Sequence, residues 1–247
     1  VGLEMPMDIM WQQSEVILGS KTPGSPAPLP DPDLIEKAAK ILGKSHQPMI
    51  FVGGGAYDAC EEIKTLAETL QAPVISYQNG RGILDERHHL AHTNTAGAML
   101  WENCDAAISI GCRMQAERMS WGMDDAVKII HIDIDPTEIN RIMKPDVGLV
   151  SDAAIASKKI INALKKYNIK RSSREEEMLN VKARAEKLME EIAGPQMEWL
   201  RAIRDVLPDN GLFVDEFTQV GYVSRVGFPV YNPRSMITPG YQGTLGY

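Results

Sequence analysis

Apolar residues fall into two patterns along this chain of 247 residues. Five short runs, Met49–Val52, Val74–Tyr77, Ala106–Ile110, Ile129–Ile134 and Val147–Val150, are apolar almost without interruption. Runs that short, without alternation, suit strands covered on both faces. Between them apolar residues recur every three or four positions, as in Leu34, Ile35, Ala38, Ile41 and Leu42, then Ile63, Leu66, Ala67 and Leu70, then Ile160, Ile161 and Leu164. That spacing predicts helices with one buried face. Strands alternating with helices predict an α/β fold: a Rossmann-like parallel sheet with helices on both faces, joined by right-handed crossovers.

Local signals place the boundaries. Asp31-Pro32-Asp33 reads as a helix start, and Gly43 as its end. The first strand runs into Gly53-Gly54-Gly55, a tight turn before a helix within Tyr57–Gln71, which Ala72-Pro73 breaks. The polar segment Gln78–Asn94 reads as a long loop, and Thr95–Asn103 as a short helix. Asp135-Pro136-Thr137-Glu138 reads as another helix start, and Ser151-Asp152 as a cap. Ser173-x-x-Glu176 has the form of a capping box, opening a charged, solvated connecting helix that Gly194-Pro195 stops. A second amphipathic helix follows to Leu207, then a strand within Gly211–Glu216. At the other end Val1–Asp8 reads as a short strand closing at a proline turn. Gly19–Pro32 holds five prolines and two glycines, a linker composition. The chain starts without methionine and stops on a glycine-rich turn, so it reads as a fragment of a longer polypeptide.

Composition narrows the classes. Hydrophobic content of 44% and charged content of 24% are those of a globular protein. A net charge of −7 without a basic stripe argues against nucleic acid. No apolar run reaches the roughly 20 residues that span a bilayer, and no secretory signal is visible. Cys60, Cys104 and Cys112 are scattered, as in a reduced, cytoplasmic protein, without zinc spacing.

Candidate chemistry is sparse. Gly53-Gly54-Gly55 could cradle a phosphate at a helix N-terminus. The dinucleotide fingerprint fails, because Asp58 stands where the third glycine belongs and Ser76-Tyr77 offers no acid at the second strand's end. His88 and His92 have a spacing that could hold a metal on a helix, but a polar surface loop is the simpler reading. Cys112 beside Arg113 reads as a strand-end cysteine. A stand-alone Rossmann-type nucleotide-binding regulatory module is the competing functional class.

Three stretches carry a resemblance when taken together: Ile50–Gly55, Gly111-Cys112-Arg113, and His131-Ile132-Asp133-Ile134-Asp135-Pro136-Thr137-Glu138-Ile139. They resemble the central domain of thiamine diphosphate-dependent enzymes, in the branch of acetolactate synthase, oxalyl-CoA decarboxylase and benzoylformate decarboxylase. Leu3–Asp8 resembles the close of that family's pyrimidine-binding domain, and Phe213–Tyr247 the opening of its diphosphate-binding domain. The resemblance implies five parts: the end of a pyrimidine-binding domain at 1–14, a linker at 15–30, a central domain at 31–167, a connecting helix at 168–194, and the start of a diphosphate-binding domain at 195–247.

The resemblance also implies the chemistry. The full-length enzyme would use thiamine diphosphate and Mg2+ to decarboxylate or ligate a 2-keto acid or an acyl-CoA substrate, as a cytoplasmic homodimer or homotetramer. Leu245, in Gly243-Thr244-Leu245-Gly246, matches the apolar wedge beneath the bent cofactor. Gly243 and Thr244 match the backbone that meets its aminopyrimidine, and Thr218 and Gln219 fall near its diphosphate. The family's catalytic glutamate would lie upstream and its magnesium motif downstream, so no catalytic or metal residue is expected here and the fragment alone would be inactive. In the central domain, FAD or ADP would meet Gly53, Gly54, Gly55, Arg113, Asp133, Ile134, Asp152 and Ala153. Met114-Gln115-Ala116-Glu117 departs from the acids and second arginine usual in the flavin-binding synthases, and several relatives leave this domain vacant.

Overall fold

The computed structural model describes residues 4–19, 26–122 and 126–238. Six parallel strands form the main sheet in the order β3-β2-β1-β4-β5-β6. They are β1 (Pro48–Val52), β2 (Val74–Ser76), β3 (Ala91–Thr93), β4 (Ala106–Ile110), β5 (Lys128–Asp133) and β6 (Val147–Val150). Every residue of β1 and β4 is buried, which explains their almost continuous apolar character. In register, Ile50 faces Val74 on one side and Ile108 on the other, and Ile130 faces Val147.

Helices cover both faces. A one-turn helix, α1 (Met7–Met10), stands in the segment where sequence favours a strand, and Val1–Leu3 lie outside the described residues. Helix α2 (Pro32–Lys44) starts as its sequence predicts: Asp31 accepts from the Asp33 amide at 2.8 Å and Pro32 takes the first position, where no N–H is needed. The helix runs one residue past Gly43. Helix α5 (Ala153–Leu164) packs against both α2 and α3 (Cys60–Leu70), while α4 (Asn94–Trp101) lies over β2 and β3. Phe51 reaches this second face, with its ring 5.8 Å from Trp101 and 6.2 Å from Trp121. Each fully buried aliphatic or aromatic side chain in this core contributes roughly 1.5–3 kcal/mol.

Three local readings change. The segment read as a loop over Gln78–Asn94 contains β3, whose Ala91, His92 and Thr93 pair with Val74, Ile75 and Ser76. Its three residues carry no apolar period; the free edge of β2 selects them. Asp135 starts turns instead of a helix: its carboxylate accepts from the Thr137 amide and hydroxyl, and Asp133 accepts from the Asp135 amide. Such side-chain bonds compete with helical ones. Ser173 accepts from the Glu175 amide rather than from Glu176, opening α6 (Glu175–Val206).

Helix α6 is more than a solvated connector. Met178, Val181 and Ala185 line one face and join the main core. The helical path breaks at Ala193 (φ −144°, ψ 36°), just before Pro195. Beyond it Met197 and Leu200 belong to a second core with Phe228, Val230 and Met236. That core holds β7 (Phe213–Val214), α7 (Gln219–Gly227) and β8 (Met236–Ile237), with β7 and β8 paired in parallel. No helix among the described residues is long and apolar enough to cross a membrane.

Candidate functional site

Strand β1 has β2 on one side and β4 on the other, so the turns after β1 and β4 meet where the connections diverge. Open α/β sheets take ligands at this point. Seven of the eight residues matched to nucleotide contacts line this carboxyl edge, with Ala153 opening α5. The glycine turn follows β1, Arg113 follows β4, Asp133 and Ile134 end β5, and Asp152 follows β6. The ladder continues beyond the strands: Gly111 N donates to Ile132 O at 2.9 Å, and Ser151 N to Asp133 O at 3.0 Å.

Several polar groups of this edge already have partners. Gly53 N donates to Ile110 O at 3.3 Å, Gly55 N to Gly111 O at 3.3 Å, and Ala56 N to Gly53 O at 3.0 Å. A Cβ on Gly55 would stand 2.8 Å from Gly111 Cα, so these glycines serve close contact of two turns. Arg113 grips Glu138 with two bonds, of 2.7 and 3.1 Å, and Glu138 also accepts from Arg141. Those arginine bonds, Arg113 first, hold the Glu138 carboxyl below its ordinary range. Asp152 accepts from Ile155 N at 3.0 Å and caps α5. Ile134 is exposed and Ala153 buried. Asp58, which breaks the dinucleotide fingerprint, pairs with Arg234 at 3.1 Å.

Behind the edge, Tyr77 after β2 donates its hydroxyl to Glu117, which is fully buried on a π-helical turn, Glu117–Trp121. Burial raises the Glu117 carboxyl, and its Oε2 has no hydrogen-bond partner. Cys112 nearby is buried, and its thiol is pushed up to about 12 by desolvation. A thiol so placed is not a nucleophile near neutral pH.

The second group matched to a cofactor lies after β7. Thr218 caps α7 by accepting from Gly221 N at 2.9 Å, and Gln219 accepts from Gln196 at 2.9 Å. Gly243, Thr244 and Leu245 lie outside the described residues. Two residues that sequence reasoning did not single out stand beside this loop. Asp215 is buried and accepts from Arg225 Nε at 2.9 Å. Arg225 Nη2 and Asp215 Oδ1 are buried without hydrogen-bond partners. Only the fold pairs them, because they belong to different elements.

The histidines separate. His88 and His89 stack at 4.5 Å, whereas His92 sits inside β3 and is 2% exposed. Among the described residues no cluster of three His, Cys, Asp or Glu side chains is placed to hold a metal ion. Burial, with Lys182, Arg174 and His89 adding repulsion, pushes the His92 ring down to about 3. The unfolded ring titrates near ~6.5. The folded value is the lower one, so the unfolded chain takes up the proton first. Stability from this site is therefore complete above about pH 6.5 and falls by about 1.4 kcal/mol per pH unit toward pH 3. Urea unfolding at pH 7 and pH 4.5 should show a smaller acid loss in His92→Leu than in the parent; equal losses would refute this.

Comparison with known proteins agrees with this architecture. Residues 35–164 match the family described as thiamine pyrophosphate enzyme, central domain. A probable acetolactate synthase large subunit of Methanocaldococcus jannaschii is 31% identical over 86% of this chain and 39% of its own length. The acetolactate synthase large subunit of Corynebacterium glutamicum is 28% identical over 99% of this chain and 42% of its own. The oxalyl-CoA decarboxylase of Escherichia coli is 27% identical over 90% of this chain and 42% of its own. The chain thus spans about two fifths of the length of these relatives. With the matched segment taking in all six strands of the main sheet, the chain belongs to the thiamine pyrophosphate enzyme family, and residues 35–164 are its central domain.

Proposed function

We propose that this chain is part of a thiamine diphosphate-dependent enzyme that makes or breaks a C–C bond next to a carbonyl, by decarboxylating or ligating a 2-keto acid or an acyl-CoA analogue. The observation that carries the reading is the match of residues 35–164 to the family's central domain, with relatives that include both synthase and decarboxylase. When bound, thiamine diphosphate supplies the nucleophilic carbon and the electron sink. This chain's own part is to bind and orient. Thr218 and Gln219 open α7 beside the unpartnered Arg225 Nη2, a buried donor of the kind a phosphate oxygen accepts. Asp215 holds Arg225 in place. Gly243, Thr244 and Leu245 complete this reading as backbone contacts and wedge. Mg2+, a cytoplasmic location and a dimeric or tetrameric assembly belong to the same proposal.

The carboxyl edge of the main sheet supports a vacant central domain better than one holding FAD or ADP. A diphosphate there would meet Gly53 and Gly55 amides already bonded within the chain and an Arg113 already paired with Glu138. It would also meet the carboxylates of Asp133, Asp135 and Asp152, and the buried Glu117 lies close behind. These residues do not fit the group, so no step is assigned to a nucleotide.

The test uses the full-length protein with thiamine diphosphate, Mg2+ and pyruvate, benzoylformate or oxalyl-CoA in turn. Carbon dioxide release with at least one is expected; none from any would defeat the reading. Calorimetry with FAD, ADP and NAD is expected to show no saturable binding. Tight NAD binding with no turnover would favour the regulatory module instead.

A further inference from the structure

Between β4 and β5 the chain forms a short strap, residues 115–122, bounded by two residues with positive φ. Met114 has φ +49° and Gly122 φ +84°. Few residues with a side chain enter that region, so Met114 is strained where it stands. Between the two lies the π-helical turn Glu117–Trp121, a rare form that recurs at functional sites. Backbone outliers of this kind gather at switch segments.

Three contacts hold the strap down. The Trp101 indole N–H donates to Gly122 O at 2.7 Å. The Trp121 ring lies 6.2 Å from Phe51 and 6.1 Å from Trp101, over Gly97, where a Cβ would stand 2.9 Å from it. Glu117 turns inward, fully buried, and accepts from the Tyr77 hydroxyl. Arg118, Met119 and Ser120, between these anchors, are exposed. Only the third contact can ionise. The titratable groups facing the Glu117 carboxyl are Tyr77, after β2, and Cys112, after β4. Helix α4, which packs on the strap, contains no titratable residue. Its own amide is the carboxyl's other polar neighbour, and among the described residues no lysine, arginine or histidine pairs with it. Ionised in place, Glu117 would be a buried charge without a counter-charge, which is costly.

We propose that residues 115–122 form a hinged strap latched by the acid form of Glu117, which opens when that carboxyl ionises and closes when it takes up a proton. Opening lifts Glu117 from Tyr77 and Trp121 from Phe51 and Trp101, uncovering the carboxyl end of β2. The proton goes to solvent, and Tyr77 keeps its own. Burial holds the carboxyl of the closed strap above its ordinary range, whereas in the open strap it titrates in water near ~4.3. The closed form is therefore the one that holds the proton. Its stability is complete below the ordinary carboxylate range and is lost as pH rises toward the raised value. Across that window the opening constant climbs about tenfold per pH unit, since each opening releases one proton. Nothing in this device depends on thiamine diphosphate.

The test follows hydrogen exchange of the Trp101 indole and of the 115–122 amides by NMR, from about pH 5 to about pH 8, in the parent chain and in Glu117→Gln. Dividing one rate by the other at each pH cancels the intrinsic chemistry of exchange. The ratio of parent to variant should climb with pH, because the glutamine cannot ionise, and level off once Glu117 is ionised in both forms. Gly122→Ala, whose Cβ would meet nothing within 4 Å, adds only backbone strain and should raise opening by the same factor at every pH. Unfolding midpoints establish that the variants fold. Should Glu117→Gln fail to fold, the side-chain carboxyl carbon of Glu117 in the parent decides: its resonance and Trp101 exchange should move together with pH. A ratio that stays flat or falls as pH rises would overturn the proposal. So would a carboxyl that titrates without Trp101 exchange following it, or exchange left unchanged by Gly122→Ala.

Discussion

Arg81→Met should destabilise the chain by about 3–5 kcal/mol, the range for breaking one partner of a buried ion pair. Arg81 is 2% exposed. It grips Glu86 with two bonds, one to Oε2 at 2.7 Å, and donates to the carbonyl oxygens of Arg225 at 2.7 Å and of Phe228. Those carbonyls belong to the end of α7, where the helix leaves them without internal partners. A side chain from the loop after β2 thus caps a helix of the second core. Glu86 completes the contact: its carboxylate accepts from Val230 N at 3.0 Å, and its amide donates to Val230 O at 3.2 Å.

Removing the guanidinium strands a carboxylate and several carbonyls in a dry seam. Urea unfolding should therefore show the full loss in Arg81→Met and a partial recovery in Arg81→Met combined with Glu86→Leu. The two cores should also separate, with the second melting first. A loss below about 1 kcal/mol, the size of an exposed pair, would mean that the seam is wet and the contact incidental.

The second large effect is expected at Gly111. Its φ of +56° lies in the left-handed region, and a Cβ there would stand 2.5 Å from Gly55 Cα. Gly111→Val combines left-handed strain of a branched residue with overpacking against backbone, together about 3–5 kcal/mol. Gly111→Ala should cost less, because only the strain and one methyl are added. Both turns must move apart for either variant to fold, so amide exchange should rise at Gly53–Ala56 as well as at the mutated site. Unchanged exchange in the glycine turn would show that the two loops do not depend on each other. Since the same two turns form the edge matched to nucleotide contacts, this variant also tests whether the glycines serve packing.

Much of the fold was legible from local pattern. The five apolar runs became strands because continuous burial needs continuous apolarity, and Asp31 and Asp152 became caps because their side chains bond their own helices. The glycine turn also kept its place after β1. The candidate sites were less legible. Arg113 and Glu138 are both visible in the sequence, but only their pairing removes Arg113 as an open anion site. Arg225 and Asp215 looked unremarkable apart, ten residues from each other.

Sequence alone thus determined the class of the fold, the caps of α2 and α5, and the family, because each depends on groups within a few residues of one another or on a chain-long order of motifs. Tertiary structure decided the rest. Strand β3 exists because β2 offers an edge, and one face of α6 is buried because two cores pack on it. Arg81 and His92 take their roles from partners, or the lack of them, supplied by distant segments. Long-range pairing is chosen by the whole chain at once, so no local window carries its signal.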